Sequence, residues 1–146
     1  MPDVAKMIFI NLPVADLAKS MAFYEALGFT NEPRFSDDTA AAMVWSESIV
    51  VMILTHDKWK GFTDRPIADR GSSEVSLALA LGSREAVDAM VEAGAANGGT
   101  ADINPVQDHG FMYGRDLLDP DGHVWGPFWM DPAVAHGEAP VPEVSA

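Results

Sequence analysis

The chain has 146 residues, 48% apolar and 21% charged, which is the composition of one globular domain and excludes a disordered or highly charged tail protein. With no cysteine, disulfides, thiolate metal sites and cysteine nucleophiles are excluded. Nine basic against 22 acidic residues give a net charge of −13, of which −10 falls on residues 74–146; that field repels phosphate backbones and anionic lipid, argues against nucleic acid and membrane surfaces as partners, and favours a cationic ligand.

No apolar run approaches the roughly 18 residues of a membrane span, and no leader-like pattern opens the chain, so a cytoplasmic protein is expected. Met7 to Val14 reads as a strand, with Ile8, Ile10, Leu12 and Val14 on one face and Met7, Phe9 and Asn11 on the other; Pro13 closes it or sits at an edge. Asp16 caps a helix carrying Leu17, Met21, Tyr24 and Leu27, which stops at Gly28. Three strand-like stretches follow, Phe29 to Phe35, Ala41 to Trp45 and Ile49 to Thr55, completing a βαβββ unit over 7–55. Residues 56–73 turn to Lys, Asp, Arg, Gly and Pro and read as a linker without a core-building pattern.

A second cycle spans 74–131. Val75, Leu77, Leu79 and Leu81 alternate with Ser76, Ala78 and Ala80, and Ser83 caps a helix with Val87, Met90 and Val91 on its apolar side. Phe111 to Leu118 and His123 to Met130 form a hairpin across Asp119-Pro120-Asp121-Gly122, with Gly126-Pro127 expected as a bulge that widens a cavity. The tail, 132–146, has no periodicity and is expected to be loosely ordered. Shifting the chain by 67 residues lays Asp16 on Ser83 and repeats the large-apolar face in phase. Two βαβββ copies follow, with a few extra residues after the second helix. The large face packs beneath the helices and leaves Phe9, Asn11, Ser76, Ala78 and Ala80 on the concave side.

The opening Leu12-Pro13-Val14-Ala15-Asp16-Leu17, Ser20 and Phe23-Tyr24 before Leu27-Gly28-Phe29, and the closing Asp119-Pro120-Asp121-Gly122-His123-Val124-Trp125 resemble the vicinal oxygen chelate superfamily of glyoxalases, bleomycin-resistance proteins and extradiol dioxygenases. The resemblance covers about residues 7–131 and implies an α+β fold in which two tandem βαβββ modules form a curved sheet around a cavity. It also implies a divalent metal in the enzymatic members, held by one His or Glu from each of four strands. Those positions fall here on Phe9, Ser76, about Ile53, and Gly126, none of which is an acceptable ligand.

Three functions stay open on this reading. The first is a metal-free protein that binds a small cationic or aromatic molecule, with no cofactor, in a cavity lined by Phe9, Asn11, Ile53, Ser76, Gly126 and Phe128, where Asn11 and Ser76 supply hydrogen bonds. The second is a metal-dependent lactoylglutathione lyase-like or dioxygenase-like enzyme. The third is a structural or regulatory homodimer; a homodimer is also expected from the resemblance. Tyr113 and Arg115 share one strand face, as ligand-orienting groups at the cavity mouth or as a surface pair. His109 and His123 lie some 20 Å apart along the hairpin and cannot share an ion, and His123 reads as a packed or turn-stabilising imidazole.

Overall fold

The computed structural model describes residues 6–142. Strand β1 (Ile8–Val14) leads into α1 (Leu17–Leu27), and β2 (Thr30–Glu32), β3 (Ala40–Ser46) and β4 (Ile49–Thr55) complete the first module. Its strand order is β1-β4-β3-β2, with β1 parallel to β4. The Asp16 side chain accepts from the Lys19 N–H at the start of α1, and Gly28, at φ 107°, ends it in the left-handed conformation that glycine adopts without strain. The strand expected over Phe29 to Phe35 stops at Glu32, because Pro33 has no N–H to donate and opens a 3-10 turn instead.

The connection over 56–73 begins with a short helix, α2 (His56–Lys60), capped by the Thr55 side chain and without a buried residue. The second module runs β5 (Ser76–Ala80), α3 (Arg84–Ala96), β6 (Thr100–Ala101), β7 (Gln107–Asp108), β8 (Met112–Gly114), β9 (Leu117–Leu118) and β10 (Val124–Met130), and α4 (Pro132–Ala135) follows. Strand β5 runs parallel to β10, as β1 does to β4. Phe9 lies opposite Val50 in one module and Ser76 opposite Val124 in the other, so the 67-residue offset of the first strands grows to 74 at the last. Those seven extra residues precede β10, as the repeat required.

The bulge expected at Gly126-Pro127 is absent. Val124 pairs with Leu118 and Phe128 with Gly114, one unbroken register, so β8 and β9 are a single strand interrupted opposite Pro127. The interruption follows from chemistry: Arg115 N–H donates to the Pro127 carbonyl at 3.2 Å, and proline returns no bond. The irregularity lies one strand further out, where residues 102–106 loop between β6 and β7 and Asp102 takes φ 55°. The tail, expected to be loose, opens with the helical turn α4, capped by Asp131; residues 143–146 lie outside the described part.

One core serves both modules. Leu12, Val14, Phe23, Tyr24, Leu27, Met43, Val51 and Ile53 of the first pack with Leu79, Met90, Val91, Leu117 and Trp125 of the second. Helices α1 and α3 lie against each other over it. Gly94 permits this approach, since a Cβ there would stand 3.2 Å from Phe23 Cε2 and 3.3 Å from Leu27 Cδ2 of α1, and 2.3 Å from Leu117 Cδ1 of β9 beneath. The module junction is polar as well as apolar. Tyr24 O–H donates to Asp119 Oδ2 at 2.5 Å, Trp125 Nε1 donates to the Tyr24 oxygen at 3.1 Å, and Asp119 Oδ1 accepts from the backbone N–H of Asp121 and His123. Asp121 accepts from Ala15 N–H, and a His123 ring nitrogen meets the Pro13 carbonyl at 2.8 Å, so the closing turn clasps the start of α1. Among the described residues no helix is long and apolar enough to cross a membrane.

Candidate functional site

Alternation along each strand decides which side chains reach the concave face. On β5 that face carries Ser76, Ala78 and Ala80; on β10, Gly126, Phe128 and Met130; on β8 and the residues after it, Met112, Gly114 and Asp116. Together with Gln107 these, Ala80 excepted, line a cavity of about 330 Å³ on the second module. It is open because its floor is small: Ala78 pairs with Gly126, and Gly114 lies beside Phe128. Met112, Phe128 and Met130 are its apolar walls.

A second cavity, of about 350 Å³, lies on the first module and is lined by Met7, Phe9, Phe35, Val44, Val50 and Met52 among others. Among the described residues these two hollows lie one on each module, where the sequence suggests a single cavity between them. Phe9 lines the first-module cavity, half exposed; Ser76, Gly126 and Phe128 line the second-module cavity; Asn11 is exposed and borders neither.

Ile53 is not a site residue. It pairs with Leu12, points beneath the helices and is fully buried, so the concave position on β4 belongs to its neighbour Met52. The error is one of strand phase: a shift of one residue exchanges the two faces. Tyr113 and Arg115 do share a face, and their side chains turn to α3 on the helix side. Tyr113 O–H donates to Asp88 Oδ1 of α3 at 2.6 Å, and Arg115 bonds Asp88 at 2.9 Å and, through two nitrogens, Asp102. Arg115 still counts among the residues that line the second-module cavity, whereas Tyr113 does not.

These bonds set the local electrostatics. The Tyr113 hydroxyl, then Arg115, hold the Asp88 carboxyl below its ordinary range, and Arg115 does the same for Asp102; the Asp88 bond raises the Tyr113 phenol in turn. Arg84 lies over the rings of Tyr113 and Trp129 at 5.1 and 5.3 Å and grips Asp108 through two 2.9 Å bonds; those bonds, then the Gly110 N–H, lower the Asp108 carboxyl to about 2. The hairpin arm that carries Gln107 and Met112 is thus pinned to α3. In the buried cluster the order of causes reverses: burial raises the Asp119 carboxyl, and burial followed by Asp119 raises the Tyr24 phenol.

The metal implied by the resemblance does not fit these residues. With the strand phase corrected, the four positions hold Phe9, Met52, Ser76 and Gly126, which offer neither imidazole nor carboxylate. Among the described residues no three His, Asp or Glu side chains come together as a metal site. Sequence reasoning missed Met112, Met130, Gln107 and Asp116. The alternation that placed Tyr113 and Arg115 together also puts Met112, Gly114 and Asp116 on the other face, so that signal was present.

A family model described as bleomycin resistance protein-like N-terminal matches residues 6–44. No curated protein matches the chain. Among solved structures, a glyoxalase/bleomycin resistance protein from Albidiferax ferrireducens T118 is similar at 27% identity and TM-score 0.62, covering 83% of this chain and 95% of its own. A glyoxalase-related enzyme from Fulvimarina pelagi gives 20% identity and TM-score 0.72, covering 86% and 88%. A glyoxalase/bleomycin resistance protein/dioxygenase family enzyme from Burkholderia phytofirmans PsJN gives 20% and 0.70, covering 86% and 99%. The fold is the glyoxalase/bleomycin-resistance fold. Family model and structural neighbours together match the vicinal oxygen chelate superfamily, as the opening and closing motifs imply.

Proposed function

We propose that the chain binds a small organic molecule in the concave cavity of its second module, held by shape, van der Waals contact and a few hydrogen bonds without a metal ion. The observation that carries this reading is the 330 Å³ hollow left by Ala78, Gly114 and Gly126 between Met112, Phe128 and Met130, a volume at the lower end of small-molecule sites. The lack of donor side chains at the four strand positions supports the metal-free form and gives a metal-dependent lyase or dioxygenase no footing. The N-terminal match to a bleomycin resistance protein-like model is in keeping with a binding role.

A thermal-shift screen of aromatic and cationic small molecules tests it, on the wild-type chain and Gly126→Trp. A ligand at a hundred times its Kd is expected to stabilise the wild type by about 2.7 kcal/mol and the variant not at all. A broad panel that shifts neither, or shifts both alike, refutes the assignment.

One observation favours self-association in addition. Ile8 and Phe9 at the start of edge strand β1, and Val75 just before edge strand β5, are apolar and exposed, at 53%, 52% and 60% accessible. Edges of this kind favour pairing with a second copy. Sedimentation equilibrium is expected to show a homodimer that Ile8→Lys or Val75→Lys weakens; a wild-type monomer at every concentration refutes it.

A further inference from the structure

The second-module cavity contains one carboxylate, and glycine at 126 makes room for it. Asp116 Oδ1 lies 2.9 Å from where a Cβ on Gly126 would stand, so any side chain there would displace it. The position from which a last-strand carboxylate would project is vacated, and the carboxylate arrives from the neighbouring strand. Its other oxygen is already occupied: Asn104 Nδ2 donates to Asp116 Oδ2 at 2.9 Å, from the 102–106 loop that the first module lacks. The next residue cannot neutralise it, because the Arg115 guanidinium is on the opposite face, bound to Asp88 and Asp102. Among the described residues no Lys, Arg or His lies within ion-pair distance of Asp116.

We infer that Asp116 is the charge-recognising residue of this cavity and that its ligand is a small organic cation, an ammonium or amidinium group on a compact apolar body. An ionised carboxylate only accepts hydrogen bonds, so the group that meets Oδ1 is a donor. A neutral apolar ligand would strip water from the carboxylate with no return, and an anion would be repelled. The cationic head sits on Oδ1 and the apolar body lies against Met112, Phe128 and Met130. The inference rests on the second-module cavity being the binding site.

Calorimetric titration of the full chain with benzylammonium, benzyl alcohol and benzoate tests both, on the wild type, Asp116→Asn, Asp116→Ser and Gly126→Trp, each with its folding checked by circular dichroism. The wild type is expected to bind benzylammonium at least about tenfold more tightly than benzyl alcohol, and benzoate not measurably. Either Asp116 variant is expected to bring the first two within about twofold of each other, and Gly126→Trp to bind none. Equal binding of ammonium and alcohol by the wild type, or a preference that survives in both Asp116 variants, overturns the role of Asp116 while the loss in Gly126→Trp keeps the cavity. Binding unchanged in Gly126→Trp, or no binding of any probe, overturns the cavity reading and the inference with it.

Discussion

Replacing Tyr24 with phenylalanine removes a single oxygen from the deepest polar contact between the modules. The hydroxyl donates to Asp119 and accepts from Trp125, all three residues are buried, and among the described residues no buried polar side-chain atom lacks a partner. The variant leaves two orphans, a carboxylate oxygen and an indole N–H. At about 1–3 kcal/mol for each, the expected loss is about 4 kcal/mol, well above the roughly 1 kcal/mol of an average hydrogen bond. The loss also depends on pH. Burial holds the Asp119 carboxyl above the ordinary carboxylate range, and the Tyr24 bond opposes that rise, so removing the bond raises the carboxyl further. A carboxyl raised on folding makes the native state bind the extra proton. Its stability contribution is therefore largest in acid and declines as pH climbs through the folded value. The Tyr24→Phe deficit is expected to be smaller at pH 4 than at pH 8, and Asp119→Asn to flatten the wild-type trend over that interval. Urea denaturation at both pH values measures this. A cost below about 1 kcal/mol at pH 8, or one that grows toward acid, refutes the reasoning.

Gly94→Ala sets helix propensity, a gain of about 1 kcal/mol, against a Cβ placed 2.3 Å from the fully buried Leu117; overpacking of about 1–3 kcal/mol wins, for a net loss near 1 kcal/mol that reverses in a Leu117→Ala background. A more stable Gly94→Ala single variant in chemical denaturation would contradict this. Arg84→Gln is expected to return the Asp108 carboxyl from about 2 toward the ordinary range, read as a carboxyl NMR titration. Because that group is lowered on folding, its contribution in the wild type is present above the ordinary value and lost as pH falls toward the folded one. Addition of zinc, nickel or manganese is expected to leave the melting temperature unchanged, since Phe9, Met52, Ser76 and Gly126 bind none of them; a saturable rise in stability would show a site these residues do not provide.

The repeat, the two helices with their Asp16 and Ser83 caps, and the closing turn were legible in the chain because each rests on local chemistry: a period, a side-chain cap, a proline-glycine turn. That Phe9, Ser76 and Gly126 carry no imidazole or carboxylate is a matter of residue type, but which residue of β4 joins them was decided by strand pairing. Tertiary packing decided the rest. Strand phase is set by pairing, so Ile53 went inward with Leu12 and Met52 faced the hollow. Tyr113 and Arg115 took the helix face because Asp88 of α3 waits there, a partner 25 and 27 residues away that no local pattern announces. The missing bond at Pro127 interrupted a strand without shifting its register, and the extra loop brought Asn104 to Asp116. Periodicity says that a strand has two faces; only the contacts made by the folded chain choose which of them a given side chain occupies.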